Sequence, residues 1–405
     1  MTRGSPVAPQ SRVASAPRFG GHLPALDGLR GLAVLLVMVF HFVKMAPANS
    51  LDAVIARAAS VTWTGVELFF VLSGFLITGI LYDAKGGAHY FRNFYMRRAL
   101  RIFPLYYGAL VLLFVVLPSV VSWEPLDELR AQQVWFWTYT LNILKAITGD
   151  DGILFTGHFW SLAVEEQFYL VWPFVVYALP WDRLVKLCVA IIAGSLALRV
   201  GLLATDLPAL ASYVLMPARM DTLALGGLIA LVVRRPGGFA QLVKWAPPVA
   251  VTAAVVLAAG DAFGARLHFL DPWTRTVGFT AFAFLFGALL VLVLAARPGE
   301  GLGRVGFNPF MQSLGKYSYA IYVIHFPVRG ALGYFGFDVL DLPIVAGSRL
   351  PAQLVFFVVA SAISYVLAWL SWHLYEKHFL KLKDLFPYRG QTASVPAEAA
   401  RMPGI

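Results

Sequence analysis

Cysteine and charge are what this sequence is short of. Its 405 residues include one cysteine, Cys188, so no internal disulfide can staple an exposed loop. Only 13% of the residues are charged, about half the share of an average soluble domain, which excludes a water-soluble globule. Long polar stretches are missing too, and the longest loop, residues 122–159, leaves no room for a separate soluble domain. Segments of alternating apolar and polar residues, which would build a membrane β-barrel, are absent. What fills the chain is 59% hydrophobic residues in continuous runs such as 31–40 and 281–296. That pattern predicts an all-α, polytopic membrane helical bundle.

About ten spans are predicted, over 29–46, 63–82, 103–121, 160–180, 184–204, 213–233, 245–261, 276–296, 316–335 and 351–373. The stretch 134–147 (VWFWTYTLNILKAI) is short for a crossing that takes about 20 residues, and reads as re-entrant or interfacial. With ten spans and both termini cytoplasmic, most Lys and Arg fall on the cytoplasmic side, among them Arg234, Arg235, Arg297, Lys377, Lys381 and Lys383. The net charge of +10 then reflects topology, and nucleic acid is not an expected partner. Residues 1–22 and 387–405 read as disordered tails on either side of one transmembrane domain, 23–386. No cleavable signal peptide is visible.

Ionisable side chains at bilayer depth cost several kcal/mol unless paired or facing an aqueous cavity, so each is a functional candidate. They are His41, Glu67, Glu165, Glu166, Arg199, Asp221 and His325, with Arg97, Arg98 and Arg101 at a membrane edge. Arg30 and His41 are eleven residues apart, a rise of about 16.5 Å and close to three turns, so they share one face of a helix. A histidine bonded to a neighbouring helix is the plain alternative for His41. Arg98 and Arg101, three apart, are neighbours able to hold one anion, unless they are snorkelling arginines that only fix topology. Ser73 and Gly74 let two backbones approach closely, and Ser73 reads as helix packing more readily than as a nucleophile. Glu165 and Glu166 point about 100° apart on a helix and so take different roles, one toward a cavity and one toward a basic partner. His41, one of these glutamates and His325 are candidates to converge. Trp63, Trp135, Trp137, Trp160 and Trp172 either anchor at the interface or stack on sugar rings.

Five ordered blocks carry a family likeness: LDGLRGLAVLLVMVFHF, FFVLSGFLIT, RRALRIFPLY, HFWSLAVEEQFYLVWP and YSYAIYVIHFP. Through them, over roughly residues 23–380, the sequence resembles the integral-membrane acyltransferase 3 family, which includes O-antigen and exopolysaccharide O-acetylases and macrolide acyltransferases. The resemblance implies an O-acetyltransferase, multi-pass in the cell inner membrane, that takes acetyl-CoA as co-substrate and needs no metal. Its acceptor would be a hydroxyl of a carbohydrate or glycolipid such as a polysaccharide or lipopolysaccharide, or of a macrolide or other small molecule. Carried over, Arg30 with His41, Arg98 with Arg101, and Glu165 with Glu166 match the family's motifs, with the histidine catalytic and the arginines serving acyl-CoA.

On that reading His41, Glu165, Glu166 and His325 are the catalytic candidates, and Arg30, Arg98, Arg101 and Ser73 bind the donor. The phosphates sit on the arginines and the pantetheine arm climbs toward His41. His41 acts as general base or forms an acyl-histidine. Glu165 or Glu166 orients the imidazole or the acceptor, and Tyr319, Ser73 or His325 stabilises the oxyanion. Two other classes compete, a polytopic transporter and a membrane scaffold or sensor; a transporter would more often show inverted repeats.

Overall fold

A computed structural model describes residues 22–120, 124–150 and 155–388. The chain is 79% helix, with no strand among the described residues. The tails expected over 1–22 and 387–405 lie outside the described residues, apart from His22, Pro387 and Tyr388.

Helix α1 (Pro24–Phe42) begins on a proline, where a missing N–H costs nothing. A short amphipathic helix α2 (Ser50–Ser60) leads into α3 (Gly65–Ala84) and then α4 (Tyr90–Val111). Two brief helices follow, α5 (Gln133–Trp137) and α6 (Leu141–Thr148). The remaining long helices are α7 (Trp160–Ala178), α8 (Trp181–Leu202), α9 (Met216–Val232), α10 (Gly238–Ala262), α11 (Phe279–Ala295), α12 (Pro309–Tyr334) and α13 (Leu350–Ser371).

Among the described residues, eight helical stretches are long and apolar enough to cross a membrane, built on α1, α3, α4, α8, α9, α10, α11 and α13. Helices α7 and α12 occupy the other two predicted span positions with 19 and 26 residues. They are more polar than the rest because they carry Glu165, Glu166 and Gln167, and Lys316, Tyr317, Tyr319 and His325. The stretch 134–147 holds no helix long enough to cross. It is broken at residues 138–140, where Tyr139 takes a left-handed backbone (φ 53°).

Two close backbone contacts set the rotation of the central helices. A Cβ on Gly31 would overlap the Met311 carbonyl, and one on Gly315 would overlap the Asp27 carbonyl, so α1 and α12 touch backbone to backbone. Gly74 of α3 sits in the same way against the Leu223 carbonyl of α9. Gly74 therefore does the packing, which leaves its neighbour Ser73 free to face a cavity. Beyond α1, buried Asp52 accepts from the Ala48 N–H (3.1 Å), the Ser348 hydroxyl (2.5 Å) and the Arg349 N–H (2.9 Å), tying α2 to the loop before α13.

Of the ionisable residues predicted at depth, three are taken up by a closed cluster. Arg219 donates to Glu67, and Thr222 Oγ1 donates to the same carboxylate at 3.2 Å. Arg199 donates to Asp221 (2.7 Å), to Thr280 Oγ1 (2.5 Å) and to the Ala218 carbonyl (2.5 Å). All four charged side chains are fully buried, and two acids balance two arginines. The cluster joins α3, α7's neighbour α8, α9 and α11 with no charge left over.

Candidate active site

Other ionisable side chains line two chambers that share a wall. The first, about 860 Å³, is bounded by α1, α3, α4, α7 and α12. Arg30, Arg98 and Arg101 face it together with Ser73, Glu165, Glu166, Tyr169 and Tyr319. The spacing of three between Arg98 and Arg101 puts both guanidinium groups on the same side of α4, and Arg30 reaches the chamber from the first turns of α1. Arg30 also makes a 3.4 Å contact with Asp27 one turn earlier. Arg98 lies 5.3 Å from the Tyr169 ring centroid, and the Tyr169 hydroxyl is 2.5 Å from Ser73 Oγ. Both Glu165 and Glu166 line this chamber, because it is wide enough to take side chains 100° apart.

The second chamber, about 1050 Å³, is lined by His41, His158 and aromatic rings of Phe40, Trp63, Trp160, Tyr213, Phe269 and Phe326. Lys44, Lys145 and Arg329 also face it. The residues common to both chambers are Val66 and Tyr322. Tyr322 is latched there, its hydroxyl 2.5 Å from Ser161 Oγ and donating to the His158 carbonyl at 3.1 Å.

Hydrogen bonds fix the state of the imidazoles. His325 Nδ1 lies 2.8 Å from the Tyr322 carbonyl and 3.1 Å from that of Ile321. Carbonyls only accept, so Nδ1 carries the proton and Nε2 is left as an acceptor. That Nε2 is 3.1 Å from His41 Nδ1, which also lies 2.9 Å from the Val37 carbonyl. His41 Nδ1 is therefore the protonated nitrogen, and its Nε2 keeps a lone pair. In this tautomer the His41 imidazole is held in orientation by His325, and Arg329 donates to the His41 carbonyl at 3.0 Å, fixing the end of α1.

His41 and His325 are thus brought together, whereas Glu165 and Glu166 stand in the arginine chamber and the partner of the His41 imidazole is His325. Ser73 and Tyr319 lie with the arginines as well. Among the tryptophans, Trp63 and Trp160 line the histidine chamber, while Trp172 is core and donates to Thr78 Oγ1 at 2.9 Å. In the sequence His158 is one of the polar residues packed at the start of the fourth span, with no role assigned to it. Its Nε2 donates to the Tyr322 carbonyl at 2.8 Å, its ring is centred 4.9 Å from His325, and its buried Nδ1 meets no hydrogen-bond partner among the described residues. The signal available was its place in the fourth block, seven residues ahead of Glu165.

Residues 23–373 match the Acyl_transf_3 family, described as an acyltransferase domain. The chain belongs to this acyltransferase family. It is 27% identical to the O-acetyltransferase OatA of Staphylococcus aureus (strain NCTC 8325 / PS 47) over 339 residues, 77% of this chain and 51% of that protein. It is 30% identical to the peptidoglycan O-acetyltransferase OatA of Listeria monocytogenes over 331 residues, 76% of this chain and 49% of that protein. The chain thus spans about half the length of the curated relatives it matches. No solved structure matches it. Arg30 and His41 lie toward opposite ends of α1, with a cavity beside each.

Proposed function

We propose that the protein is a multi-pass O-acetyltransferase that moves an acetyl group from acetyl-CoA on the cytoplasmic side to a hydroxyl of a carbohydrate or glycolipid. The observation that carries this reading is the pair of chambers meeting at Tyr322 and Val66, with guanidinium groups in one and the His41–His325 pair beside the other. Ten spans, counting α7 and α12, with both termini cytoplasmic, put the arginine chamber toward the cytoplasm and His41 toward the outer face of the inner membrane; the bias of Lys and Arg supports that orientation.

In this mechanism Arg30, Arg98 and Arg101 hold donor phosphates by the forked geometry that suits phosphate oxygens. The pantetheine arm runs alongside α1, past Ser73 and Tyr169, and a rise of about 16.5 Å brings the thioester to His41. The acceptor hydroxyl gives its proton to His41 Nε2 as its oxygen attacks the thioester carbonyl carbon. The new ester C–O bond forms, the C–S bond breaks, and the leaving thiolate takes the proton back from His41. His325 keeps the imidazole in the required tautomer. Glu165 and Glu166 stand near Arg98, so their part is to orient the guanidinium groups that hold the donor.

The aromatic walls supply flat apolar faces for a sugar ring. The name of the Listeria relative, a peptidoglycan O-acetyltransferase, supports a cell-wall glycan as the acceptor over a macrolide. The test is purified protein in sealed proteoliposomes given acetyl-labelled acetyl-CoA and glycan oligosaccharides. Label recovered covalently on a glycan hydroxyl supports the reading; label that only changes compartment across a vesicle indicates a transporter and overturns it.

A further inference from the structure

The chain after α13 folds back over the arginine cluster. It continues through a turn at Trp372–Glu376 and a short helix at Lys377–Lys381 into a tight turn at Leu382–Leu385. From there it is bound to α4 through its backbone. Arg97 Nη1 donates to the carbonyls of Lys383 (3.0 Å) and Phe386 (3.1 Å), and Asn93 Nδ2 donates to that of Pro387 (2.7 Å). The Tyr388 ring is stacked under Arg97 at 4.8 Å. Charge-assisted bonds of this kind place a short segment firmly.

None of these contacts uses the Lys383 ammonium. That group is half-buried and within electrostatic reach of four guanidinium groups, those of Arg30, Arg97, Arg98 and Arg101. No ion pair holds it among the described residues. Carboxylates in the neighbourhood are engaged: Asp27 contacts Arg30 and His22, and Glu376 accepts from Ser371 at 2.9 Å beside Arg101. Glu165 lies near Arg30 and Arg98. With Glu166 also near Arg98, five cations face four carboxylates, an excess of positive charge that an anion carrying several charges stabilises.

We propose that Lys383 is a donor-binding residue that contacts the 3′-phosphate of acyl-CoA, with residues 383–388 forming the lip of the phosphate site. This rests on acyl-CoA being the donor. The order of groups along the coenzyme makes the assignment. An arm extended into the chamber leaves the pyrophosphate beside Arg98 and Arg101, which line it. The ribose 3′-phosphate is then outermost, and Lys383 lies outside the chamber on the same cluster of cations. A second polyanion, the headgroup of an anionic lipid, offers the same phosphate chemistry and is separated by the test.

The experiment measures equilibrium binding of CoA and of dephospho-CoA, which lacks only the 3′-phosphate, to the purified full chain in nanodiscs of zwitterionic lipid. Wild type is expected to prefer CoA by about tenfold, the value of one charge-assisted contact. Lys383→Gln should reduce that preference to within twofold while leaving dephospho-CoA affinity unchanged, and Lys383→Arg should keep it. A preference that persists in Lys383→Gln overturns the proposal, as does equal weakening of both ligands. Nanodiscs containing phosphatidylglycerol form the second arm: if that lipid competes with CoA for wild type and not for Lys383→Gln, while the CoA preference is the same in both, Lys383 holds a lipid headgroup. Wild type that binds neither nucleotide overturns the donor reading itself, a result distinct from each of the others.

Discussion

Two groups of buried charge in this bundle have opposite designs. Around Arg199, Arg219, Glu67 and Asp221, every charge has a counter-charge and the side chains are sealed from solvent. Around Arg30, Arg98 and Arg101, cations exceed carboxylates and the side chains border a chamber of about 860 Å³. The first holds helices together; the second leaves positive charge beside open space. Burial of an arginine in a membrane bundle therefore says little by itself. What separates architecture from chemistry is whether the charge balances within the protein and whether there is space beside it.

The contrast can be broken at either end. The largest effect is expected at His41→Ala, which should lower kcat by about 10² to 10⁴, the range for loss of a positioned general base, while the protein stays folded and monodisperse on gel filtration. In the closed cluster, Glu67→Ala leaves Arg219 buried and uncompensated. It should cost about 3–5 kcal/mol of stability, read as loss of folded protein in detergent melting curves, whereas Glu67→Leu with Arg219→Met together should cost less than either alone. At the open cluster Arg98→Ala should leave melting almost unchanged and raise the KM for acetyl-CoA by about 10- to 100-fold, as for loss of a hydrogen bond to a charged group. A smaller effect is expected at the wall between the chambers. Tyr322→Ala opens the passage and should raise acceptor-independent thioester hydrolysis relative to transfer by about tenfold, followed by release of free thiol. Tyr322→Phe, which keeps the ring and loses the latch to Ser161, should shift the same ratio by less.

Much of this was legible in the residues. Hydropathy located the helices, because a span must be apolar whatever it packs against, and the eleven-residue interval between Arg30 and His41 placed both on one side of α1. The two helices that fell below the hydropathy of the others, α7 and α12, are those that carry Glu165, Glu166 and His325 toward the chambers. What could not be read was which buried groups meet. Glu67 and Asp221 look like site residues in one dimension, and only the packing of α3 on α9 discloses Arg219 as a counter-charge. His158 shows no role in the sequence because it sits in a tight turn before α7, outside any span. Asp52 was hidden for a similar reason: its partners Ser348 and Arg349 are nearly 300 positions away in the chain. Side-chain direction in a wide cavity is likewise absent from helical periodicity, so both glutamates face the arginine chamber.

The most direct test of a divided site is equilibrium binding of acetyl-CoA to His41→Ala and to Arg98→Ala, set beside acetyl transfer by each. Donor binding close to wild type with transfer lowered by about 10² to 10⁴ in His41→Ala, and donor binding weakened by about 10- to 100-fold in Arg98→Ala, is the result predicted. Loss of donor binding in His41→Ala, or unchanged binding in Arg98→Ala, would contradict the separation of phosphate grip from base.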